Sequence, residues 1–197
     1  MARMRAPERR RQLLESSVEL FGSKGYRGAT TAELARAAGV TEPILYRHFE
    51  NKLDLFVTLV EEVGNEVLAA WDEALTGVDE PHERLQRLLA SNPATHRRGR
   101  SAYRVIFQAM SEADSDPEVA RPLRRHLNRL HAFLRDELGH LQQHAAVRKD
   151  VSADLLARLL MDVAIGYGIT APIGGRGTDN AAARDDIQSL LAELIAI

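Results

Sequence analysis

Three hydrogen-bonding side chains stand in a row at Tyr46, Arg47 and His48, within the segment TEPILYRHFENK of residues 41–52, and Lys52 closes the same segment. A phenol, an imidazole and an ammonium suit phosphate oxygens, and a guanidinium can take either a phosphate or the edge of a guanine. Placed at 100° per residue, Leu45 and Phe49 fall on one edge of a helix, while Pro43, Ile44, Tyr46 and Arg47 spread over the other and His48 sits on the flank. The first edge is built to pack. The second lacks the Lys/Glu character of an ordinary solvated helix, and its exposed Ile44 could meet a thymine methyl.

Other constellations are weaker. With no cysteine in the chain, disulfides, thiolate nucleophiles and Cys-based zinc sites are excluded. His140 and His144 have the four-residue spacing of a metal pair, but no HExxH-type carboxylate accompanies them, so they read as surface histidines near a helix end. GYGITA at 166–171 matches a dinucleotide fingerprint in form only, because no strand precedes it, and the GGRGT stretch lacks a phosphate-loop lysine. The run RPLRRHLNRL reads as a solvated face over a Leu123, Leu127 and Leu130 core stripe, with a second nucleic-acid patch as the alternative. No nucleophile, base and orienting group occur together, so the chain is expected not to be an enzyme and to need no metal or cofactor.

The elements that must position the TEPILYRHFENK segment are helical. Apolar residues recur at i, i+3 and i+4, and no alternating run bounded by turn pairs suggests a strand. Helices are expected at about 7–24, from Thr30-Thr31 to just before Gly39, from Thr41 onward, and at 52–75, 81–89, 100–112, 117–143, 152–169 and 180–197. Gly25 ends the first in a left-handed conformation, Thr30 and Glu33 form a capping box, and Pro122 should bend or restart the long seventh helix. Leu34, Ala35 and Ala38 face inward, small Ala35 permits close approach, Gly39 permits the turn and Val40 fills the corner. That is helix-turn-helix spacing, in which the second helix enters the DNA major groove.

Charge agrees with this placement. The net charge is -2 overall, but residues 1–56 hold ten Lys/Arg against seven Asp/Glu, so the front is basic and the body acidic. The arginines at Arg3, Arg5 and Arg9 to Arg11 either track phosphates or form a solvated terminus. No segment has the length and apolarity of a membrane span and the first residues lack a signal peptide's apolar stretch, so a cytoplasmic address is expected.

The stretch ELFGSKGYRGATTAELARAAGVTEPILYRHFENKLDLF resembles the DNA-binding head of the TetR family of transcriptional regulators at its LF, KGY, TT, LA, AGV, LY, HF and K positions, over about residues 13–56. The resemblance implies phosphate contacts from Thr31, Tyr46, His48 and Lys52, and base or groove contacts from Thr41, Glu42, Pro43 and Arg47. Ile44 departs from the pattern, since many members carry a small or hydroxylated residue there. Thr31 and Thr41 would also serve as helix caps, and Glu42 either accepts from a cytosine amino group or favours the helix N-terminus.

The chain is therefore expected to be all-α: an N-terminal three-helix helix-turn-helix domain at 1–51, followed by a larger helical effector-binding and dimerisation domain at 52–197. A single head reads few base pairs, so two heads about 34 Å apart must be held by a two-fold dimer. Residues 152–170 and 180–197 are apolar over more than a narrow stripe and are the expected homodimer contact, the alternative being that they complete one subunit's own core. The resemblance implies the same four-helix interface. Trp71, Tyr103, Phe107, Met110, Phe133 and Tyr167 either line an effector cavity or fill the core; the effector would be small and apolar or amphipathic. The expected function is a repressor bound to a palindromic operator in double-stranded DNA and released by that effector. Control by a protein partner, or a helical small-molecule-binding enzyme or carrier, are the alternatives.

Overall fold

The computed structural model describes residues 5–91, 97–170 and 181–197. Arg3 and the glycine-rich stretch at 171–180 lie outside the described residues. The order is α1 (Ala6–Gly28), α2 (Thr31–Ala37), α3 (Glu42–Tyr46), α4 (Lys52–Leu75), α5 (Pro81–Ala90), α6 (Arg97–Glu112), α7 (Pro117–Gln143), α8 (Ala153–Thr170) and α9 (Ala181–Ile195). Among the described residues there is no strand, and one isolated bridge joins Val147 to Ala196. The protein is all-α, as its periodicity requires. Residues 117–143 run through Pro122 as one helix, so that proline does not restart it.

Contacts divide the chain into two compact units, Met1–Asn65 with Ser101–His126, and Glu66–Arg100 with Leu127–Ile197. The first contains the helix-turn-helix. Leu13, Phe21, Leu34, Leu45, Leu55 and Phe56 are fully buried there, each worth about 1.5–3 kcal/mol relative to exposure. Phe56 makes ring contacts with Phe21 and with Tyr26, both at 5.0 Å between centroids. Gly25 breaks the regular path of α1 with a φ of 71°, and a Cβ there would fall 2.8 Å from Gln108 Oε1. The positive φ is what calls for glycine at this position, since the Gln108 amide is the flexible end of a side chain and could give way to a Cβ. Arg27 continues the tie to the end of α6, donating to Glu112 at 2.9 Å and to Ser115 at 3.2 Å.

In the second unit, Trp71 stacks on Phe133 at 5.9 Å and donates to the Leu88 carbonyl at 3.3 Å. Arg84 makes a two-pronged pair with Glu137 at 2.8 and 2.9 Å and also donates to the Leu75 and Val78 carbonyls, each at 3.0 Å. It thereby satisfies carbonyls at and just beyond the end of α4 while joining α5 to α7. The C-terminal end of α9 is clasped by the loop after α7. Arg148 donates its backbone N–H to Ile195 at 2.9 Å and its guanidinium to the Leu194 carbonyl at 3.2 Å.

Candidate nucleic-acid interface

The turn between α2 and α3 sets the geometry of the candidate site. Gly39, at φ 66°, donates to the Arg36 carbonyl at 3.0 Å, and Val40 donates to Ala35 at 2.9 Å. These are the two bonds of a Schellman ending, which requires a residue comfortable in the left-handed region. At the other end of α2, Thr30 accepts from the Glu33 N–H while Glu33 accepts from the Thr30 N–H at 3.1 Å. Thr30 is therefore the cap and Thr31 the first helical residue, which corrects the expectation that Thr31 caps this helix. Lys24 donates to the Glu33 carboxylate at 2.5 Å. Chiefly through Lys24, and then through Thr30, the Glu33 carboxyl is held down from its ordinary 4.5 to about 2.

Helix α3 is short, with Thr41 at its N-cap in extended conformation and Pro43 in its first turn. No side-chain hydrogen bond comes from Thr41, so its hydroxyl remains at the surface rather than capping the helix. Leu45 is 0% and Phe49 2% exposed, whereas Ile44 is 36% and Tyr46 47% exposed. Pro43 and Arg47 are also exposed, and His48 is half-buried. The division between a packing edge and an outward edge is thus the one the helical wheel predicts. Arg10 of α1 lies 4.6 Å over the Phe49 ring, so this arginine of the N-terminal run covers the back of the rod.

Two polar residues are engaged in ways local sequence does not reveal. Thr31 Oγ1 donates to Glu42 Oε2 at 2.7 Å, joining the first turns of α2 and α3. Lys52 Nζ donates to the carbonyls of Tyr26 at 2.9 Å and Ala29 at 3.0 Å and lies 4.5 Å over the Tyr26 ring. Two of its three ammonium protons therefore fix the end of α1 and the start of α4 together. Burial, with Asp116 and Glu112 contributing, raises the Tyr26 phenol above its ordinary range and keeps that ring neutral.

The aromatic residues expected to line an effector cavity fall into both units. Tyr103, Phe107 and Met110 belong to the first, where the Tyr103 and Phe107 rings are 5.7 Å apart and burial drives the Tyr103 phenol strongly upward. Trp71, Phe133 and Tyr167 belong to the second, and Tyr167 is half-buried on α8. A polar depression on the second unit is bordered instead by Asp79, Arg84, Asp136, Glu137, His140 and His144. His140 and His144 lie ring to ring at 4.4 Å, and His144 Nδ1 is 2.9 Å from the His140 carbonyl. That geometry places a proton on Nδ1 and removes it as a ligand atom.

Comparison with known proteins agrees with this geometry. Residues 13–59 match the family model described as bacterial regulatory proteins, tetR family, and residues 81–196 match that of the BetI-type transcriptional repressor, C-terminal. The HTH-type transcriptional activator FasR of Mycolicibacterium smegmatis is 30% identical over 118 residues, covering 60% of this chain and 53% of that one. The chain thus spans about half the length of that relative. The HTH-type transcriptional regulator BetI of Brucella canis is 27% identical over 147 residues, covering 73% of this chain and 72% of its own. A transcriptional regulator from Saccharomonospora viridis, solved in complex with choline, superposes with a TM-score of 0.87 at 22% identity over 97% of this chain and 99% of that one. A TetR-family regulator from Agrobacterium tumefaciens gives 0.84 at 20% identity, over 98% and 100%. These structural likenesses concern the fold, an N-terminal helix-turn-helix domain followed by a helical C-terminal domain. With the C-terminal model matching more than half of its length and the head model matching the helix-turn-helix, the chain belongs to the TetR family of DNA-binding transcriptional regulators and is not an enzyme.

Proposed function

We propose that this regulator is a homodimeric repressor that binds a palindromic operator through α3 and leaves it when a small molecule binds its larger domain. The observation that carries the reading is the outward edge of α3, where Ile44, Tyr46 and Arg47 are presented on a rod pinned from behind by Leu45 and Phe49. In this reading residues 1–51 bind DNA and residues 52–197 bind effector and partner. Tyr46, His48 and the remaining proton of Lys52 meet phosphates, Thr41, Pro43 and Ile44 lie along the groove, and Arg47 reaches a phosphate or a guanine. The address is the cytoplasm, where its DNA is; among the described residues no helix is long and apolar enough to cross a membrane.

Support for pairing comes from α8 and α9. Leu155, Leu159 and Ile169 on the first, and Leu190 and Leu194 on the second, are exposed together with Ile197. The α8 residues follow one stripe with Gly166, beside which a Cβ would meet nothing within 4 Å, so a second helix can approach closely there. A glycine inside a helix costs about 1 kcal/mol against alanine, a cost that close contact with a partner offsets. The effector is small and apolar or amphipathic; of its candidate contacts, Tyr103, Phe107 and Met110 lie in one compact unit, and Phe133 and Tyr167 in the other. The choline bound by the S. viridis regulator makes a small organic cation a reasonable first compound to try. Repression is favoured by the BetI-type repressor match, which covers residues 81–196.

Selection from random duplexes at about physiological salt tests the reading. An inverted repeat should emerge, and the bound effector should lower affinity for it while operator DNA lowers affinity for the effector by the same factor. Recovery of no preferred sequence, or of a single unrepeated site, contradicts it.

A further inference from the structure

The Thr31–Glu42 hydrogen bond gives the interface an element of base specificity that neither residue would supply alone. We propose that Glu42 is the specificity-determining acceptor of α3, taking the N4 amino group of one cytosine in each half-site, and that Thr31 positions its carboxylate for that contact instead of donating to a phosphate. The inference rests on the reading of α3 as the helix that enters the major groove.

A threonine hydroxyl has one proton, and that of Thr31 is directed at Glu42 Oε2, 2.7 Å away. Donation to a phosphate would require breaking this bond, leaving the half-buried Glu42 carboxylate without its partner beside a polyanion. Among the described residues no other side chain donates to Glu42. Its Oε1 is then the acceptor left over, at the first position of α3 and flanked by exposed Thr41 and Pro43.

The major groove offers few groups that a carboxylate can accept from. Guanine presents N7 and O6, and thymine O4, all acceptors that repel it. Adenine has an amino group, but its N7 lies beside it and faces the carboxylate with like polarity. Cytosine N4 alone presents a donor without an adjacent acceptor on the same base. A carboxylate on this edge therefore weakens association with every sequence except those that place a cytosine amino group opposite it, which is discrimination by both attraction and repulsion. Held in one rotamer by Thr31, Glu42 also has less side-chain freedom to lose when DNA arrives.

The test is the base preference recovered from random duplexes by the full-length wild type and by Glu42→Gln, Thr31→Val and Thr31→Ser. The wild type should require cytosine at one position of each half-site, with about a tenfold loss of affinity on changing that pair. Glu42→Gln should exchange the cytosine for adenine, which a carboxamide reads through both N6 and N7, and leave the other positions' preferences in place. Thr31→Val should erode the cytosine preference by about threefold or more, a measurable part of that tenfold, and Thr31→Ser, which keeps the hydroxyl, should restore it relative to valine. The proposal is overturned if Glu42→Gln changes no position, or if Thr31→Val weakens all sequences equally with the cytosine preference intact, as loss of a phosphate ligand would. A wild type that selects an inverted repeat without that cytosine defeats this proposal alone; one that selects nothing defeats the reading of α3 itself.

Discussion

Tyr46 and Lys52 both carry hydrogen-bond donors, yet they do different work in the folded chain. Tyr46 is largely exposed and its ring adds little to the core, whereas Lys52 closes two backbone carbonyls and covers the Tyr26 ring. Tyr46→Phe should weaken binding to operator and non-operator DNA alike, by about the 0.5–1.5 kcal/mol of one hydrogen bond, and leave the melting temperature unchanged. Lys52→Ala should also weaken binding to all sequences, but it should lower the melting temperature as well, since two carbonyls lose their donor. Filter binding across several duplexes, alongside calorimetric melting, separates the two. A change in which base is preferred would contradict the phosphate role of either residue. The outward position of Tyr46 was legible from seven residues of sequence, because the spacing of Leu45 and Phe49 alone fixes the helix face. The inward role of Lys52, and the bond between Thr31 and Glu42, were not. They join residues far apart along the chain, and no local periodicity encodes such a meeting.

At the level of elements, local signals governed the helix-turn-helix almost completely. The Thr30 and Glu33 pair opens α2, Gly39 closes it with a positive φ, and both devices act within a few residues. The Lys24–Glu33 pair then ties α1 to α2 through a contact nine residues apart. Because the Glu33 carboxyl titrates at about 2 in the folded chain against 4.5 ordinarily, its stabilising effect is complete above about 4.5 and is lost as pH falls towards 2. The melting temperature of Glu33→Gln should accordingly lie below that of the wild type at neutral pH, and the two should converge by about pH 2. A constant difference across that window would show that the hydrogen bonds of Glu33 matter without its charge. Elsewhere, what the pattern of apolar residues could not reveal is how the long helices are joined. The Arg84–Glu137 pair links residues 53 apart, and Gly25 comes close to Gln108 across a still longer stretch of chain, so the way α6 shares a compact unit with the head follows only from the folded chain.

For the whole molecule, the proposed function depends on pairing. Exposed Leu155, Leu159, Leu190 and Leu194 have aqueous surroundings in a single chain, and covering them with a second copy would recover about 1.5–3 kcal/mol for each fully buried side chain. Leu159→Glu or Leu190→Glu should shift the protein from dimer to monomer in sedimentation at micromolar concentration and abolish operator binding, with helical content retained. Dimers that persist in both variants would place the partner surface elsewhere. The most direct test of the central claim, that the outward edge of α3 of each of two chains lies in the major groove, exploits the absence of cysteine from the sequence. A single cysteine in Ile44→Cys can carry a DNA-cleaving metal chelate without labelling any other position. On the selected operator it should cut at two clusters related by a two-fold axis and separated by one helical turn, about 34 Å, or a multiple of it. A single cluster, or an uncut operator to which the labelled protein remains bound, would contradict the account.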